Sequence, residues 1–239
     1  MELQKGLYMI PVPISEDDWH KVLPDGNKTV ITAIKHYIVE NVRTARRFLK
    51  KIDRDIDISS ITFYELNGHT PENEISGYLS ALRKGEPMGL MSEAGCPGVA
   101  DPGARVAEIA QEEGIRVFPL VGPSSIMLSL MASGMNGQQF SFYGYLPVKE
   151  NERDKRIREL EQQSRKYDQT QIFIETPYRN DKMMESLLKN LKGDTKLCVA
   201  KGITDSKEES IVTKTVSQWK ANHPAIGKIP AIFLIYAGR

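Results

Sequence analysis

The sequence predicts an α/β protein built from two α/β domains, and three observations support this prediction. Short apolar segments alternate with amphipathic segments over the first half, which is typical of βαβ units and a largely parallel sheet. The alternation begins again after Val121. Two glycine- and proline-rich segments, Ser92–Gly103 and Val121–Ser125, each separate an apolar run from a helical pattern. We therefore place the domains at residues 1–120 and 121–239.

Each element of the first domain has its own signal. Leu7–Val12 is apolar and lies between Gly6 and Pro13, so we expect a strand buried on both faces. Pro24–Asn27 is predicted to be a loop, and Lys28–Lys35 suits either a short helix or a strand. The further strands are predicted at Tyr37–Val39, Ile61–Tyr64, Met88–Met91 and Arg116–Pro119, and the helices at Asn41–Lys51, Pro71–Lys84 and Pro102–Glu113.

The second domain repeats the alternation. Its helices are predicted at Ser125–Ser133, Glu150–Ser164, Lys182–Leu191 and Val216–Ala221. Its strands are predicted at Phe140–Tyr145, Gln171–Glu175, Leu197–Ala200, Ser210–Thr213 and Ile229–Tyr236. The helical methionines at 127, 131, 183 and 184 are interpreted as residues that fill the core.

Composition limits the classes of function. The net charge of +1 excludes a chain that binds polyanions over its whole surface, so any nucleic-acid contact needs a local basic patch. The two cysteines, Cys96 and Cys198, are far apart, which indicates a reducing compartment and argues against a disulfide scaffold or a zinc site. The histidines show no ligand spacing, so no metal is predicted. Without a membrane-length apolar run or a signal-peptide core, the chain is predicted to be cytoplasmic, with no membrane partner.

The loop Ser92–Gly103 is the most informative segment. Within it, glycines allow a ligand to approach the backbone closely, and prolines fix the backbone. A rigid loop that follows a strand and leads into a helix is where open α/β sheets bind ligands. Asp101 is predicted to cap the following helix, with Pro102 at its first position.

One predicted helix carries basic residues of a single sign on one face. The spacing i, i+3, i+4, i+7, i+8 and i+11 aligns Arg43, Arg46, Arg47, Lys50, Lys51 and Arg54. The opposite face is apolar, with Ala45, Phe48, Leu49 and Ile52. We call the six cations the basic stripe. The stripe suits the phosphate backbone of RNA, and the alternative is an ordinary solvated helix face.

Several motifs together resemble the tetrapyrrole methylase superfamily. They occur in that family's order at Gly6–Ile14, Ser92–Gly103, Phe118–Ser125, Ser133–Met135, Phe142–Pro147 and Phe173–Arg179. The most similar branch is the bacterial one that methylates a ribose 2′-oxygen of small-subunit (16S) ribosomal RNA. The resemblance implies S-adenosylmethionine as methyl donor, bound in a cleft between the two domains, and a homodimer. The missing Gly-x-Gly-x-x-Gly motif agrees with a sheet unlike that of Rossmann methyltransferases.

The resemblance also implies which residues bind the donor. They are Ser92, Ala94, Gly95, Cys96, Pro97 and Asp101 in the first loop, and Val121, Gly122, Pro123, Ser124 and Ser125 in the second. A side chain in place of Gly122 is expected to intrude on the donor. For Ser124 and Ser125 the alternative is a simple helix cap. Cys96 is interpreted as a small packing residue, because no histidine stands near it in sequence to activate a thiol.

A ribose hydroxyl reacts only when its proton is taken or well oriented. The candidates are Glu40, Glu175 and Asp101, since each stands at or beyond the end of a predicted strand. Glu40 precedes Arg43 by three residues and Glu175 precedes Arg179 by four, so each acid has a base nearby. The alternative is a structural ion pair, or a helix cap for Asp101. The resemblance favours Glu175 and Arg179 as site residues that orient the acceptor.

Three departures from the family pattern leave two other functions open. The first loop reads Val-Pro-Ile-Ser-Glu at residues 12–16 where the family has Thr-Pro-Ile-Gly-Asn, Asn41 and Val42 replace Asp and Thr, and Cys96 replaces Thr. A methylase acting on a tetrapyrrole ring explains the motifs but has no use for the basic stripe. A donor- or RNA-binding protein that has lost catalysis explains the altered first loop.

Overall fold

The computed structural model describes residues 3–238. The chain divides into two compact units, Met1–Ser124 and Ser125–Arg239, so the division falls four residues beyond Leu120. Within residues 3–238, each unit has its own five-stranded sheet and its own buried apolar clusters. In the same range, every helix is too short or too polar to cross a membrane.

The first sheet is entirely parallel, as predicted. Its strands are β1 (Leu7–Met9), β2 (His36–Val39), β3 (Thr62–Glu65), β4 (Met88–Met91) and β5 (Val117–Pro119), in the order β3-β2-β4-β1-β5. All residues of β1 and β4 are buried, because helices cover both faces of the central strands. All five strands therefore end at the same edge of the sheet.

The helices of the first unit correct two predictions. They are α1 (Asp25–Ala33), α2 (Val42–Ile52), α3 (Glu72–Tyr78), α4 (Ser80–Arg83) and α5 (Gly103–Glu112). Asp25–Asn27 is the first turn of α1 instead of a loop, because Pro24 provides a suitable start and Asp25 favours a helix amino terminus. The predicted helix Pro71–Lys84 is interrupted at Leu79, whose ψ of 9° ends α3; Gly77 weakens the helix just before this point.

The second unit has a mixed sheet. Its strands are β6 (Phe140–Tyr145), β7 (Thr170–Glu175), β8 (Lys196–Lys201), β9 (Ser210–Thr215) and β10 (Ala231–Tyr236), in the order β6-β7-β10-β8-β9. Only β6 and β7 pair in parallel within this sheet of the described residues. The connection from β8 to β9, residues 202–209, is too short for the crossover that parallel pairing needs, so these strands form an antiparallel pair.

The helices of the second unit are α6 (Ser125–Ser133), α7 (Glu150–Tyr167), α8 (Asn180–Asn190) and α9 (Val216–Ala221). Met183 and Met184 are buried in the core, beside the stacked rings of Phe173 and Phe233, as predicted. Met127 and Met131 are 44% and 75% exposed, so their prediction as core residues is wrong. These two methionines stand four residues apart on α6 and therefore share a face that their unit leaves uncovered.

Candidate functional site

The edge at which the parallel strands end collects the predicted site segments of the first unit. The segments are residues 10–16 after β1, 40–41 after β2, 92–102 after β4 and 120–124 after β5. Ligands of open α/β sheets bind at this edge. The sheet order thus brings together loops that are far apart in sequence.

The loops after β1 and β4 are joined by two hydrogen bonds between Val12 and Gly95. The Val12 amide donates to the Gly95 carbonyl at 3.0 Å, and the Gly95 amide donates to the Val12 carbonyl at 3.1 Å. Gly95 has a φ of +74°, in the left-handed region that favours glycine. The amide and the carbonyl of Gly95 both bond to Val12. Gly95 therefore contributes to a ligand site through its backbone conformation, which sets the positions of Ala94 and Cys96.

The loop after β5 is held by two side chains from elsewhere in the first unit. The Cys96 thiol donates to the Pro123 carbonyl at 3.4 Å, and the Asn27 amide donates to the Val121 carbonyl at 2.9 Å. Burial raises the pKa of the Cys96 thiol, which keeps it protonated and supports the packing role. The Val121 side chain is 72% exposed, so it is the apolar residue that this loop presents to a ligand.

Gly122 is required by the protein itself, and its expected contact with the donor stays a prediction. A Cβ atom at Gly122 would lie 2.3 Å from Pro11 Cγ and 3.1 Å from Leu23 Cδ2. A larger residue would therefore push the loops after β1 and β5 apart before it met any donor.

Asp101 shapes the loop after β4. Its carboxylate accepts hydrogen bonds from the amides of Gly98 at 2.9 Å and Gly103 at 2.7 Å. The N-cap position of α5 is Pro102, so Asp101 lies one residue before the position predicted for it. Its contact with the Gly103 amide nevertheless satisfies one of the first amides of the helix. Both carboxylate oxygens are thus used to fold the loop.

The remaining predicted donor residues lie close to these contacts. The Ser92 hydroxyl donates to the Ala94 carbonyl at 3.2 Å, which tightens the start of the loop, and Pro97 follows Cys96. Ser125 is the first residue of α6, and Ser124 immediately precedes it. Ser124 therefore stands at the N-cap position of α6 and Ser125 at its first helical position, and donor binding by them stays a prediction.

A cavity of about 280 Å³ opens at the same edge, within the first unit. Its apolar lining comes from Val12, Val39, Met91 and Phe48. Its charged lining comes from three acids, Glu16, Glu40 and Glu93, and from Arg47 and Lys51 on α2. The cavity therefore has an apolar lining and charged groups of both signs.

Glu40 is the predicted acid that faces this cavity. One of its carboxylate oxygens accepts a hydrogen bond from the Glu93 amide at 3.1 Å. Burial raises the pKa of Glu40, and the nearby negative charges of Asp101 and Glu93 raise it further. A carboxylate whose pKa is raised toward the working pH is a better proton acceptor than an ordinary surface glutamate.

Two residues that sequence reasoning missed complete this arrangement. The Thr44 hydroxyl on α2 donates to a Glu93 carboxylate oxygen at 2.5 Å, which ties the helix to the loop after β4. The sequence does contain a signal for Glu93, because this residue directly follows Ser92 and so stands at the same sheet edge as Glu40. Thr44 carries no such signal, because its direction depends on how α2 packs.

The second unit holds the other predicted acid–base pair. One Glu175 carboxylate oxygen accepts hydrogen bonds from Arg179 Nη2 at 2.5 Å, Arg179 Nε at 2.9 Å and the Thr176 amide at 2.6 Å. The side chains of Glu175 and Arg179 are 2% and 28% exposed. The predicted pair is therefore formed at the end of β7, and its part in catalysis stays a prediction.

The basic stripe is exposed along its whole length. Its members are Arg43, Arg46, Arg47, Lys50, Lys51 and Arg54. Arg54 lies beyond the last residue of α2, Ile52, so it belongs to the following turn instead of the helix face. Within residues 3–238, none of the six cations forms an ion pair with a carboxylate. The stripe therefore keeps its full positive charge.

Two lysines of the stripe also anchor the backbone. The Lys50 ammonium donates to the carbonyls of Arg54 and Ile56, each at 2.8 Å, and so closes the end of α2. The Lys51 ammonium donates to the carbonyls of Glu16 and Asp17, each at 2.8 Å. Lys51 thus holds the loop after β1 against α2.

Comparison with known proteins gives relatives of one kind. No protein-family profile matches the chain. The chain is 30% identical over 204 residues to "Ribosomal RNA small subunit methyltransferase I" of Vibrio cholerae, which covers 84% of this chain and 66% of that protein. The solved structure of the methyltransferase CobJ aligns with a TM-score of 0.63 at 13% identity, covering 97% of this chain and 93% of CobJ.

A second solved structure is uroporphyrin-III C-methyl transferase from Thermus thermophilus, complexed with S-adenyl homocysteine. It aligns with a TM-score of 0.57 at 14% identity and covers 97% of each chain. At these identities, the solved structures show that the chain has the fold of these methyltransferases. These similarities confirm the predicted α/β fold class. The chain spans 43–68% of the length of three curated relatives that it matches, all named as the same ribosomal RNA methyltransferase.

The departures from the family pattern have local structural explanations. Asn41, in place of the family's Asp, caps α2, because its side-chain oxygen accepts from the amides of Arg43 at 2.9 Å and Thr44 at 3.3 Å. Arg43 forms no ion pair with Glu40 in the described part of the chain, and a catalytic role for either residue stays a prediction. The altered first loop is held by Lys51, as described above.

We predict that Glu175→Gln lowers the free energy of unfolding by about 2 kcal/mol, because the partly buried Arg179 guanidinium loses its charged hydrogen-bond acceptor. Urea denaturation measures this change. Glu150→Gln is the matched control, since Glu150 forms an exposed pair with Lys189 at 3.1 Å and its loss should cost less than about 1 kcal/mol. Turnover of the folded variant tests the second role: a tenfold loss supports orientation of the acceptor, and unchanged turnover identifies a purely structural ion pair.

Proposed function

We propose that this protein is an S-adenosylmethionine-dependent methyltransferase that methylates a ribose 2′-oxygen of small-subunit ribosomal RNA. One observation carries the proposal: two rigid glycine–proline loops, a cavity containing Glu40 and an unpaired basic stripe lie in one unit, at or beside one sheet edge. The name shared by the curated relatives points to the same RNA.

The two loops fit the methyl donor that the superfamily resemblance implies. Residues 94–97 and 121–124 would hold it, since Gly95 takes a left-handed φ and Val121 presents exposed apolar surface. The contacts Val12–Gly95 and Cys96–Pro123 fix both loops in advance, which reduces the entropy lost on binding. When bound, S-adenosylmethionine supplies an electrophilic methyl group for an in-line displacement.

The residues of the chain then have to align the acceptor oxygen and handle its proton. Glu40 is the acid best placed for this, because its carboxylate lines the cavity and has a raised pKa. Asp101 is a weaker candidate, because the Gly98 and Gly103 amides already occupy its carboxylate. Glu175 and Arg179 remain part of the proposal as a pair that orients the acceptor.

The proposal extends to partners and location. The basic stripe would neutralise RNA phosphates, and the release of counterions would favour binding. A substrate in the ribosome implies a cytoplasmic enzyme. We include a homodimer, which the resemblance implies, and light scattering would test it.

A methyl-transfer assay with radiolabelled donor tests the function. We expect label in the RNA of isolated small ribosomal subunits, in an alkali-resistant dinucleotide, because a 2′-O-methyl group blocks alkaline cleavage. Free ribosomal RNA and a tetrapyrrole precursor are the comparison substrates. Label found only in the tetrapyrrole would overturn the RNA assignment. Donor binding by calorimetry without any transfer would identify a binding protein instead of an enzyme.

We predict that the double variant Arg43→Gln, Arg54→Gln weakens RNA binding and reduces its salt dependence. Both side chains are exposed and have no partner in the described part of the chain, so their loss removes charge without removing a structural contact. Each lost phosphate contact lowers the slope of log K against log salt by roughly 0.7–0.9.

Fluorescence anisotropy at several salt concentrations measures this slope. Lys149→Gln with Lys155→Gln is the charge-matched control on α7, where both lysines pair with glutamates. An equal slope in the stripe variant and the wild type would identify the stripe as an ordinary solvated face.

We predict that Glu93→Gln moves the acidic limb of the rate profile to lower pH. If Glu40 accepts a proton, turnover falls as the pH drops through its raised pKa. Replacing Glu93 removes a negative neighbour and so lowers the pKa of Glu40, while the new amide oxygen still accepts from Thr44. The rate measured against pH shows the shift, with Glu112→Gln on α5 as control. A limb that stays in place would mean that Glu40 is not the titrating group.

A further inference from the structure

We infer that the cavity at the sheet edge receives one unpaired nucleotide of the RNA substrate, with its phosphate on Arg47 and its sugar beside Glu40. This inference rests on the proposed function and names the substrate class that the cavity binds. Four features of the cavity support it: the charges on its walls, its apolar lining, its volume, and the donor loop and basic stripe beside it.

The walls of the cavity differ in charge. Arg47 and Lys51 stand four residues apart on α2 and therefore lie on one side of the helix. The Arg47 guanidinium has no hydrogen-bond or ionic partner in the described part of the chain, so it is available for a two-pronged contact with a phosphate. Lys51 adds a fixed positive charge through its contacts with the first loop.

Three acids, Glu16, Glu40 and Glu93, also line the cavity. A nucleotide matches this arrangement because it has an anionic phosphate at one end and sugar hydroxyls that donate hydrogen bonds to carboxylates. A tetrapyrrole precursor carries several carboxylates, which Glu40 and Glu93 would repel. The charges of the lining therefore favour a nucleotide over a tetrapyrrole precursor.

The size and lining select a single nucleotide. The volume of about 280 Å³ is just below the range of roughly 300–1,000 Å³ that is typical of small-molecule pockets. The partly buried ring of Phe48 and the apolar side chains of Val39 and Met91 offer surface for a base. An RNA duplex cannot enter such a space, so the nucleotide must be unstacked or extruded, as sequence-specific RNA proteins require.

The cavity adjoins the proposed donor loop without including most of it. Ser92 and Glu93 belong to its lining, whereas Gly95–Pro97 and Val121–Ser124 do not. A nucleotide in the cavity would thus have the donor loop on one side and the basic stripe on the other. This placement makes the cavity an acceptor site and separates it from the donor site.

Arg47→Ala and the control Lys84→Ala test the inference. Both side chains are exposed cations of the first unit without an ionic partner among the described residues, but only Arg47 lines the cavity. At saturating small ribosomal subunits, we expect Arg47→Ala to lower kcat at least tenfold. Lys84→Ala should leave kcat and KM unchanged, because Lys84 belongs neither to the cavity nor to the basic stripe.

Nuclear magnetic resonance of the labelled protein tests the cavity without catalysis. Titration with the four nucleoside 5′-monophosphates should shift the amides of Thr44 and Arg47 in a saturable way. Arg47→Ala should abolish these shifts and Lys84→Ala should preserve them. S-adenosylhomocysteine should bind without shifting these amides or displacing the nucleotide.

Three results would overturn the inference. The first is a kcat of Arg47→Ala equal to that of Lys84→Ala, and the second is no saturable shift by any nucleotide. The third is competition between nucleotide and S-adenosylhomocysteine, which would make the cavity the donor's site. Methyl transfer to RNA with any of these results would refute the acceptor pocket and leave the proposed function standing. Saturable nucleotide binding without methyl transfer to any substrate would refute the proposed function and leave the pocket standing.

Discussion

Two hydrogen bonds between Val12 and Gly95 hold the candidate site together, because they join the loops that follow two neighbouring strands, β1 and β4. The position of Cys96 depends on this bridge, and through Cys96 so does its contact with Pro123 in the third loop. The same bridge sets where Glu93 stands and therefore which backbone amide reaches Glu40. This isolated β-bridge thus extends the rigidity of the parallel sheet into the loops that follow its strands.

Helix α2 serves two surfaces at once. Its apolar side is buried in the first unit, its outer side keeps an unpaired positive charge, and the residues between them line the cavity. The hydrogen bond from Thr44 to Glu93 and the contacts of Lys51 with the first loop tie this helix to two of the site loops. If a bound polyanion moved α2, these contacts would therefore move the loop after β4 as well. Coupling between two sites requires a direct physical connection of this kind.

Much of the fold follows from local pattern, and the errors come from long-range geometry. The strand Met88–Met91 and the helix Ser125–Ser133 were predicted to the residue, since glycine, proline and serine bound both of them sharply. The antiparallel directions of β8, β9 and β10 were not predicted, because strand pairing depends on connection length and on neighbours distant in sequence. In the site, residue type and strand ends pointed to Glu40 and the glycine loops. Thr44 and Glu93 were missed, because only the packing of α2 decides that they meet.

The contact between Gly122 and Pro11 changes how a glycine motif should be interpreted. In such motifs, glycine is commonly understood as room left for the ligand, and loss of binding after substitution is taken as proof of contact. Here the space next to Gly122 is already filled by the pyrrolidine ring of Pro11 and the side chain of Leu23. A substitution would push the two loops apart and so lower affinity even where the new side chain met no ligand atom. Lost binding after substitution at Gly122 would therefore report the packing of two loops together with any ligand contact, and it would not by itself place this glycine against the ligand.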